Sequence, residues 1–377
     1  ASTCSASEGV ITNANGDTLG YGEVVKEAAT LEVPSEVPLK KPKEFKIIGQ
    51  HTRTADIDKI LTGKPLFGMD YKAKGMVYAC VLRPPAFGKK LVSFDASKAK
   101  QVNGVIDVLQ YGDDIQKVAV LAKNTWAAMK GKKALTAQWE NDGKLESTED
   151  HDRELKKILN GRKFKTRRSD GSVDRAFAQA DKIIERTYEA PFLPHNCMEP
   201  MNFYANVTDK KIYLAGPTQL ASHTLRDVAK ALNRKPEEVE LELPRIGGGF
   251  GRRLARDYAL EAAQISNLAK KPIKLVYSRE DDIASGVFRP ASMYKIAASI
   301  KGGKLTGYHL KEAAINGNMY GTVTRFFPHR SIANYKISEG NYKSKITTGA
   351  WRAPVSNFLG FAQESFLAEV AEELGKD

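Results

Sequence analysis

Four glycines fall within five residues in the segment PRIGGGFGRRLARDYALEAA, which runs from Pro244 to Ala263. A strand-like run, VELEL, precedes them and a helical pattern follows, so this glycine loop (residues 247–251) connects a strand to a helix N-terminus. Such a turn presents unpaired backbone N–H groups and the positive end of the helix dipole, which together suit an anion. A tight turn with positive φ needs only one or two glycines. The loop therefore predicts contact with a phosphate-bearing ligand.

The spacing fits neither of the two common phosphate loops. A dinucleotide fingerprint would need a third glycine at position 252, where the sequence has Arg252. A Walker loop would need Lys-Ser or Lys-Thr after its last glycine, where the sequence has Arg252 and Arg253. Phe250 stands among the glycines, and it either packs in the core or faces the ligand. We therefore expect a different phosphate-bearing ligand at this loop.

A strand–turn–helix order occurs three times in the second half of the chain. KIYLAGPTQ leads into LASHTLRDVAKALN, VELELPRIGGGFG into LARDYALEAAQISNLAKK, and ITTGAWRAPVSN into FLGFAQESFLAEVAEELG. Unusual residues stand at the three turns, namely Gln219, the glycine loop and residues 349–357. Because turns of this kind collect at one edge of a sheet in open α/β-like layouts, we expect Gln219, Phe250 and Arg352 to lie within about 10–15 Å of one another.

The patterns along the chain predict an α+β fold with three regions. Residues 1–48 are broken by glycine and proline, which indicates an extended N-terminal arm with one small helix at residues 21–31. Residues 49–145 contain short β-rich runs and the helix NTWAAMKGKKAL, which predict a compact α+β domain. The polar connector ENDGKLESTEDHDRELKK then enters a helix. Residues 146–377 are therefore predicted to form a second α+β domain.

Composition and charge limit the function. A chain of 377 residues is long enough for two or three domains, and no apolar run reaches the roughly 18 residues of a membrane span. The net charge of +13 comes without a basic–aromatic ladder or a known reading motif. It argues against nucleic-acid binding and suits a polyanionic ligand or an acidic partner subunit. The first residues, ASTCSASEGV, show no signal-peptide pattern, which leaves a periplasmic and a cytoplasmic location in a bacterium open.

Other candidate side chains fit simpler roles. The three cysteines, Cys4, Cys80 and Cys197, are far apart, which argues against a disulfide framework or an iron–sulfur cluster within this chain. His195 and Glu199 stand near Cys197, but their spacing is wrong for zinc and no second cluster completes four ligands. The pair at residues 281–282 follows a strand, and a solvated turn or a helix N-cap explains it better than acid–base chemistry. No GxSxG motif indicates a hydrolase.

Four segments in a fixed order resemble the molybdenum-binding subunit of the xanthine oxidase family: PHNCMEPMNFYANV, GPTQ, GGGFGRR and TGAWRAP. The branch that the chain resembles most is the isoquinoline 1-oxidoreductase β-subunit and aldehyde dehydrogenase type. FGMDYKAKGMVYACVLRPPAFG is similar to the family's hammerhead domain. The resemblance covers nearly the whole chain. It implies a hammerhead-like α+β domain at residues 49–145, followed at residues 146–377 by the first half of a molybdenum-cofactor-binding α+β domain.

The resemblance implies a pterin cofactor that holds molybdenum through a dithiolene, in bacteria usually as molybdopterin cytosine dinucleotide. Gln219 resembles the glutamine that hydrogen-bonds an oxygen ligand of molybdenum, and Phe250 resembles the phenylalanine beside the metal. Arg352 resembles the arginine whose segment lies against the metal centre. A helix cap at Gln219 and a surface ion pair at Arg352 remain the alternatives, and no residue is implied as a direct metal ligand. The implied cofactor-binding residues are Gln219, Gly248, Gly249, Phe250, Gly251 and Arg352.

The activity implied is that of an oxidoreductase that hydroxylates an aldehyde or an N-heteroaromatic substrate with water-derived oxygen and passes electrons to a separate [2Fe-2S] subunit. Purine-oxidising members carry a glutamate near the position of Leu254 and an aromatic residue near Ala353 and Pro354, so a purine is not expected. The family's glutamate base lies in a C-terminal half beyond AEELGKD. We therefore expect no catalytic residue in this chain, which without that half would be inactive and empty of cofactor. The alternative is a non-catalytic module that binds a phosphate-bearing ligand or serves as a scaffold for a partner subunit.

Overall fold

The computed structural model describes residues 3–161, 163–317, 328–354 and 356–376. The chain divides into two units, residues 1–62 and residues 63–377. In the first unit, three short strands pair antiparallel in chain order. Its elements are β1 (Ser5–Ser7), β2 (Val10–Thr12), β3 (Thr18–Gly20), α1 (Tyr21–Ala28), a 3₁₀ turn (Pro42–Glu44) and α2 (Ile57–Leu61). The small helix predicted at residues 21–31 is confirmed, and the three-stranded sheet adds to the predicted arm.

The second unit contains strands, helices and short 3₁₀ turns in alternation. The strands are β4 (Val77–Leu82), β5 (Lys89–Asp95), β6 (Val105–Tyr111), β7 (Lys117–Ala122), β8 (Thr136–Asn141), β9 (Lys165–Asp170), β10 (Lys182–Ala190), β11 (Asn202–Val207), β12 (Ile212–Ala215), β13 (Val239–Glu242), β14 (Ile273–Val276), β15 (Ser292–Lys301), β16 (Lys304–Ile315) and β17 (Asn334–Tyr342). The helices are α3 (Ser97–Lys100), α4 (Thr125–Ala134), α5 (Thr148–Asn160), α6 (Val173–Ala178), α7 (Ala221–Ala231), α8 (Asp257–Ala269), α9 (Arg279–Ala284) and α10 (Ser356–Glu373). The 3₁₀ turns are Gly68–Asp70, Pro236–Glu238 and Arg252–Leu254.

A seven-stranded mixed sheet carries two of the three predicted turns, in the order β13–β12–β11–β14–β4–β7–β6. The neighbours β12 and β13 run parallel, and the turns that follow them lead to α7 and α8. Because parallel neighbours end at the same edge of a sheet, Gln219 and the glycine loop come to one edge. Strand β4 of the predicted domain 49–145 pairs with β14 of the predicted domain 146–377. Strands from both regions thus share one sheet, and the division at residue 145 stays a prediction about domain organisation.

Helices pack on both faces of this sheet because successive side chains of a strand point to opposite faces. On one face, α8 packs against β11 and β14, with Ile265 and Phe203 in a common core. On the other face, α4 packs against β4 and β7, with Ala128 against Cys80 and Ala122. The sheet is therefore covered on one face by α8 and on the other by α4, and the turns lie at the edge of this buried sheet.

A five-stranded sheet, in the order β10–β15–β16–β17–β9, was not foreseen from the sequence. Helix α10 packs on one face, where Phe366 lies edge-on to Tyr308, and α5 packs on the other, where Leu159 shares a core with Met293. All pairs in this sheet are antiparallel except β16–β17. Among the helices of the described ranges, none is both long enough and apolar enough to cross a bilayer. The predicted α+β fold is confirmed.

The third predicted strand, in the part of ITTGAWRAPVSN that precedes the turn at residues 349–357, is wrong. Strand β17 ends at Tyr342, and the following segment makes a single bridge between Phe288 and Thr348. Only two main-chain hydrogen bonds tie this segment to Phe288, one from the N–H of Phe288 to Thr347 and one from the N–H of Gly349 to Phe288. A single bridge does not make a strand, so an irregular segment precedes the predicted turn. Helix α10 follows it as predicted; residue 355, inside the predicted turn 349–357, lies outside the described residues.

Candidate functional site

The three predicted turns meet. The carboxamide oxygen of Gln219 accepts a hydrogen bond from the N–H of Gly251 at 3.0 Å, and the Gln219 N–H donates to the Arg253 carbonyl at 3.1 Å. The guanidinium of Arg352 lies 5.9 Å from the centre of the Phe250 ring. The predicted convergence of these positions is confirmed, while their role in binding a cofactor stays a prediction.

Two of the glycines are required by this meeting. A Cβ at Gly251 would overlap the carbonyl of Ala350, and it would lie 3.1 Å from the next backbone nitrogen. Gly251 also has φ +99°, in the left-handed region that glycine adopts at little cost. A Cβ at Gly249 would lie 2.6 Å from the carboxamide oxygen of Gln219. The loop thus lacks side chains here because two distant segments of the same chain press against it.

The other two glycines complete the loop. A Cβ at Gly247 would overlap the side chain of Glu199, and Gly248 has φ +99°. Phe250 adopts φ 52°, which is uncommon for a bulky residue, and its side chain is 40% exposed. Core packing of Phe250, the alternative reading of the sequence, is therefore excluded. The ring instead lies beside Gly248, whose Cβ would be 3.0 Å from it.

The loop retains unused hydrogen-bond donors. Within the described ranges, the N–H groups of Gly248, Gly249 and Phe250 donate to no protein acceptor. The indole N–H of Trp351, on the neighbouring turn, is buried and also has no acceptor in the described part of the chain. Successive free N–H groups beside a turn form a concave site for anionic oxygen atoms. The residues present therefore fit a cofactor that carries oxo and phosphate groups.

Arg252 and Arg253, which follow the glycine loop, make their contacts within the protein. Both side chains are buried. Arg253 donates to the Gly248 carbonyl at 2.7 Å and to the Glu199 carboxylate at 3.0 Å. Arg252 makes a bidentate pair with Asp257, with both distances 2.7 Å. Burial alone would lower the pKa of Arg252, but the charge and hydrogen bonds of Asp257, together with the nearby Tyr277 and Tyr258, raise the pKa overall. The two arginines therefore stabilise the loop and the residues that follow it through buried ion pairs and hydrogen bonds.

Three residues of the PHNCMEP motif support the glycine loop and the neighbouring turn at Ala350, a role that the sequence patterns did not indicate. The ring nitrogen Nε2 of His195 donates to the Ala350 carbonyl at 2.6 Å, and the thiol of Cys197 donates to the Gly249 carbonyl at 3.5 Å. Glu199 accepts the Gly247 N–H at 2.8 Å. The spacing of these polar residues at every second position was the available signal. In the ranges that the structure describes, no group of three His, Cys, Asp or Glu side chains could hold a metal ion.

The acidic pair at residues 281–282 has a structural role, as predicted. Asp281 and Ser278 cap the N-terminus of α9 reciprocally, with the Asp281 N–H donating to the Ser278 hydroxyl at 3.2 Å. Asp281 also pairs with Lys132 at 2.7 Å, and Asp282 pairs with Arg279 at 3.1 Å. The helix N-cap explanation is confirmed.

A cleft of about 610 Å³ lies beside α8, and none of the six predicted residues lines it. Its polar floor is paired internally: Glu261 accepts from Arg83, from Lys117 at 2.6 Å and from the Tyr277 hydroxyl at 2.8 Å. These polar groups are therefore satisfied within the protein.

Acid should weaken the fold through His195. Burial lowers the pKa of this imidazole to about 4, so it is neutral in the folded protein, whereas the unfolded chain takes up a proton near pH 6.5. Neutral His195 therefore contributes about 3 kcal/mol to the free energy of unfolding above about pH 6.5. This contribution is lost as the pH falls to about 4. We expect His195→Gln to flatten the dependence of the free energy of unfolding on pH in this window, measured by urea denaturation. An unchanged slope would contradict this; His223→Gln, at an exposed position of α7, is the matched control.

The molybdopterin cofactor-binding domain family matches residues 151–377, which is more than half of the chain and includes all six predicted site residues. The chain therefore belongs to this family. The resemblance to molybdenum-binding subunits of the xanthine oxidase family is confirmed.

Curated relatives are similar along almost the whole chain. The membrane-bound aldehyde dehydrogenase (pyrroloquinoline-quinone) of Gluconacetobacter polyoxogenes is 31% identical over 97% of this chain and 52% of its own length. The isoquinoline 1-oxidoreductase subunit beta of Brevundimonas diminuta is 25% identical over 90% of this chain and 47% of its own length. The chain thus spans about half the length of these relatives.

The fold is shared with a solved structure of low sequence identity. The quinoline 2-oxidoreductase of Pseudomonas putida 86 has a TM-score of 0.67 and 16% identity, covering 86% of this chain and 48% of that chain. This similarity supports the fold assignment alone.

Proposed function

We propose that the intact protein is a molybdenum-cofactor-dependent oxidoreductase that hydroxylates an aldehyde or an N-heteroaromatic compound with oxygen derived from water. The observation that carries this proposal is the meeting of three distant turns around the free N–H groups of residues 248–250. The names of the relatives supply the substrate class, since one is an aldehyde dehydrogenase and another an isoquinoline oxidoreductase. A bound molybdenum cofactor supplies a two-electron oxidant and an oxygen atom from water.

The residues of this chain would bind and orient the cofactor. The N–H groups of Gly248, Gly249 and Phe250 would donate to its anionic oxygen atoms. The carboxamide oxygen of Gln219 is already used by Gly251, which leaves its NH₂ group as the donor toward the cofactor. Arg352 is exposed and adds a positive charge at the same opening. We propose more specifically that the cofactor is the cytosine dinucleotide form. The net charge of +13 suits its phosphates.

Electrons would leave to a separate iron–sulfur subunit. The cysteines of this chain are one exposed residue, Cys4, and two buried residues, Cys80 and Cys197, which lie in different parts of the fold. A [2Fe-2S] cluster needs four protein ligands, mostly thiolates. Residues 1–377 therefore do not supply these ligands, and we assign the cluster to a partner subunit as part of this proposal.

Metal analysis of the intact protein, expressed in a host that makes the cofactor, tests the proposal. We expect about one molybdenum per chain. The name of one relative carries pyrroloquinoline quinone, so the same sample should be assayed for a bound quinone. Quinone without molybdenum would overturn the cofactor assignment, and neither group would favour a non-catalytic module that binds another phosphate-bearing ligand.

Isotope labelling tests the source of oxygen. When an active preparation turns over an aldehyde in ¹⁸O-labelled water, the product acid should carry the label in its new oxygen. Label that comes from O₂ instead would contradict the mechanism.

We also propose that residues 1–377 alone are inactive, because a cofactor loses affinity when only part of its contacts is present. Turnover by this chain alone would refute that.

A further inference from the structure

A lysine is buried in the seven-stranded sheet behind the glycine loop. Lys274, on β14, is 1% exposed. Its amine donates to the carbonyl of Gly68 and, at 2.8 Å, to the carboxamide oxygen of Asn202. A buried amine is costly unless its hydrogen bonds are satisfied. None of the residues predicted from the sequence explains why this position keeps a lysine.

Hydrogen bonds connect Lys274 to the loop. The Asn202 carboxamide nitrogen donates to Glu199 Oε1 at 3.0 Å, so the two ends of the amide face different partners. The other carboxylate oxygen of Glu199 accepts from the Gly247 N–H at 2.8 Å and from Arg253 at 3.0 Å. The chain Lys274–Asn202–Glu199 therefore ends on the backbone of the glycine loop and on its buried arginine.

We propose that Lys274 is a positioning residue that sets the place of the glycine loop by fixing the orientation of Asn202, and through it the carboxylate of Glu199. An ammonium group has only donors, so it donates to the oxygen end of the Asn202 amide and leaves the nitrogen end to face Glu199. Without that donor the amide oxygen loses the hydrogen bond from Lys274, and the orientation rests on the nitrogen end alone, which donates to Glu199 and to the Pro200 carbonyl, both at 3.0 Å. The relevance of the loop position to a cofactor rests on the proposed function above.

The proton on Lys274 should control how strictly this orientation is enforced. Burial, and after it the charge of Arg253, lowers the pKa of Lys274 to about 7, although Glu199 and Asp70 act in the opposite direction. Tyr78 and Tyr204 are the titratable residues in register with it on the neighbouring strands. The neutral amine still has two N–H groups for its two acceptors, but a hydrogen bond from a charged donor is roughly twice as strong, so loss of the proton weakens the hold on the Asn202 amide. The loop should therefore loosen as the pH rises through about 7.

Hydrogen–deuterium exchange of the full-length protein, purified without a supply of cofactor, tests this. The exchange of the peptide 246–254 is compared at each pH with that of a peptide from β7, so that the intrinsic pH dependence cancels. We expect Lys274→Met to speed exchange in the loop about fivefold, the effect of one lost hydrogen bond. Val276→Ala, which alters a buried core residue of the same strand, should leave the ratio unchanged.

Two further results separate positioning from packing. The double variant Lys274→Met with Asn202→Ala should exchange no faster in the loop than Asn202→Ala alone, because both act through one hydrogen-bond chain. Additive effects, or an unchanged loop in Lys274→Met, would overturn the proposal. If the variants do not fold, the wild-type ratio decides: it should rise between pH 6 and 8, and a flat profile would equally overturn it. A protein without molybdenum would remove the proposed function while leaving this result in place.

Discussion

Glu199→Ala is expected to lower the free energy of unfolding by about 3–5 kcal/mol, the usual cost of removing one partner of a buried ion pair. Arg253 is fully buried and Glu199 is 8% exposed, so the substitution leaves an uncompensated charge inside the protein. It also removes the acceptor of two backbone N–H groups, those of Gly247 and Met69. Urea denaturation followed by circular dichroism measures the loss.

The surface pair between Glu240 and Lys211 provides the control for Glu199. Its side chains are 52% and 65% exposed, so Glu240→Ala should change stability only slightly. If Glu199→Ala were as mild as Glu240→Ala, the buried pair with Arg253 would not support the loop.

Gly251→Ala is expected to abolish molybdenum binding by the intact protein and to destabilise the fold. The left-handed backbone alone costs alanine roughly 1–2 kcal/mol. In addition, the new methyl group would overlap the Ala350 carbonyl, which is backbone and cannot move aside as a side chain could. The loop and the turn that carries Arg352 must therefore separate. Molybdenum content, measured together with the free energy of unfolding, reports both effects.

The variant Gly75→Ala distinguishes the cost of the left-handed backbone from the effect of the overlap with Ala350. Gly75 also has a positive φ, of +73°, but a Cβ there would meet no atom within 4 Å. It should therefore show the backbone cost without loss of molybdenum. Normal molybdenum content in Gly251→Ala would mean that the contact between the loop and the Ala350 turn is not needed for the cofactor.

Local patterns in the sequence were sufficient to locate the elements that have a clear apolar periodicity or a clear turn signal. Helix α7, predicted at residues 220–233, runs from Ala221 to Ala231, and α8 begins after the glycine loop as expected. Strands β12 and β13 lie where the runs KIYLAGPTQ and VELEL predicted them. Periodicity and turn residues suffice for these elements because both signals are local.

The five-stranded sheet could not be found in this way. Strand β9 is the polar segment KTRRSD, which has no apolar alternation, and it pairs with β17 more than 150 residues later. Strand β10 likewise pairs with β15, about 100 residues away. The stability of such strands comes from partners and helices that are distant in the sequence, and no short window contains that information.

The candidate site shows the same difference between what local sequence signals indicate and what tertiary contacts decide. The sequence by itself identified the unusual loop, and its motifs identified the family and six residues that the fold then brought together. Only the tertiary structure decided why Gly249 and Gly251 must lack side chains, since the atoms that would collide belong to Gln219 and Ala350, in other segments of the chain. It also decided that Lys274 is part of the site's support. Close approach and burial depend on three-dimensional neighbours, which the order of residues along the chain does not state.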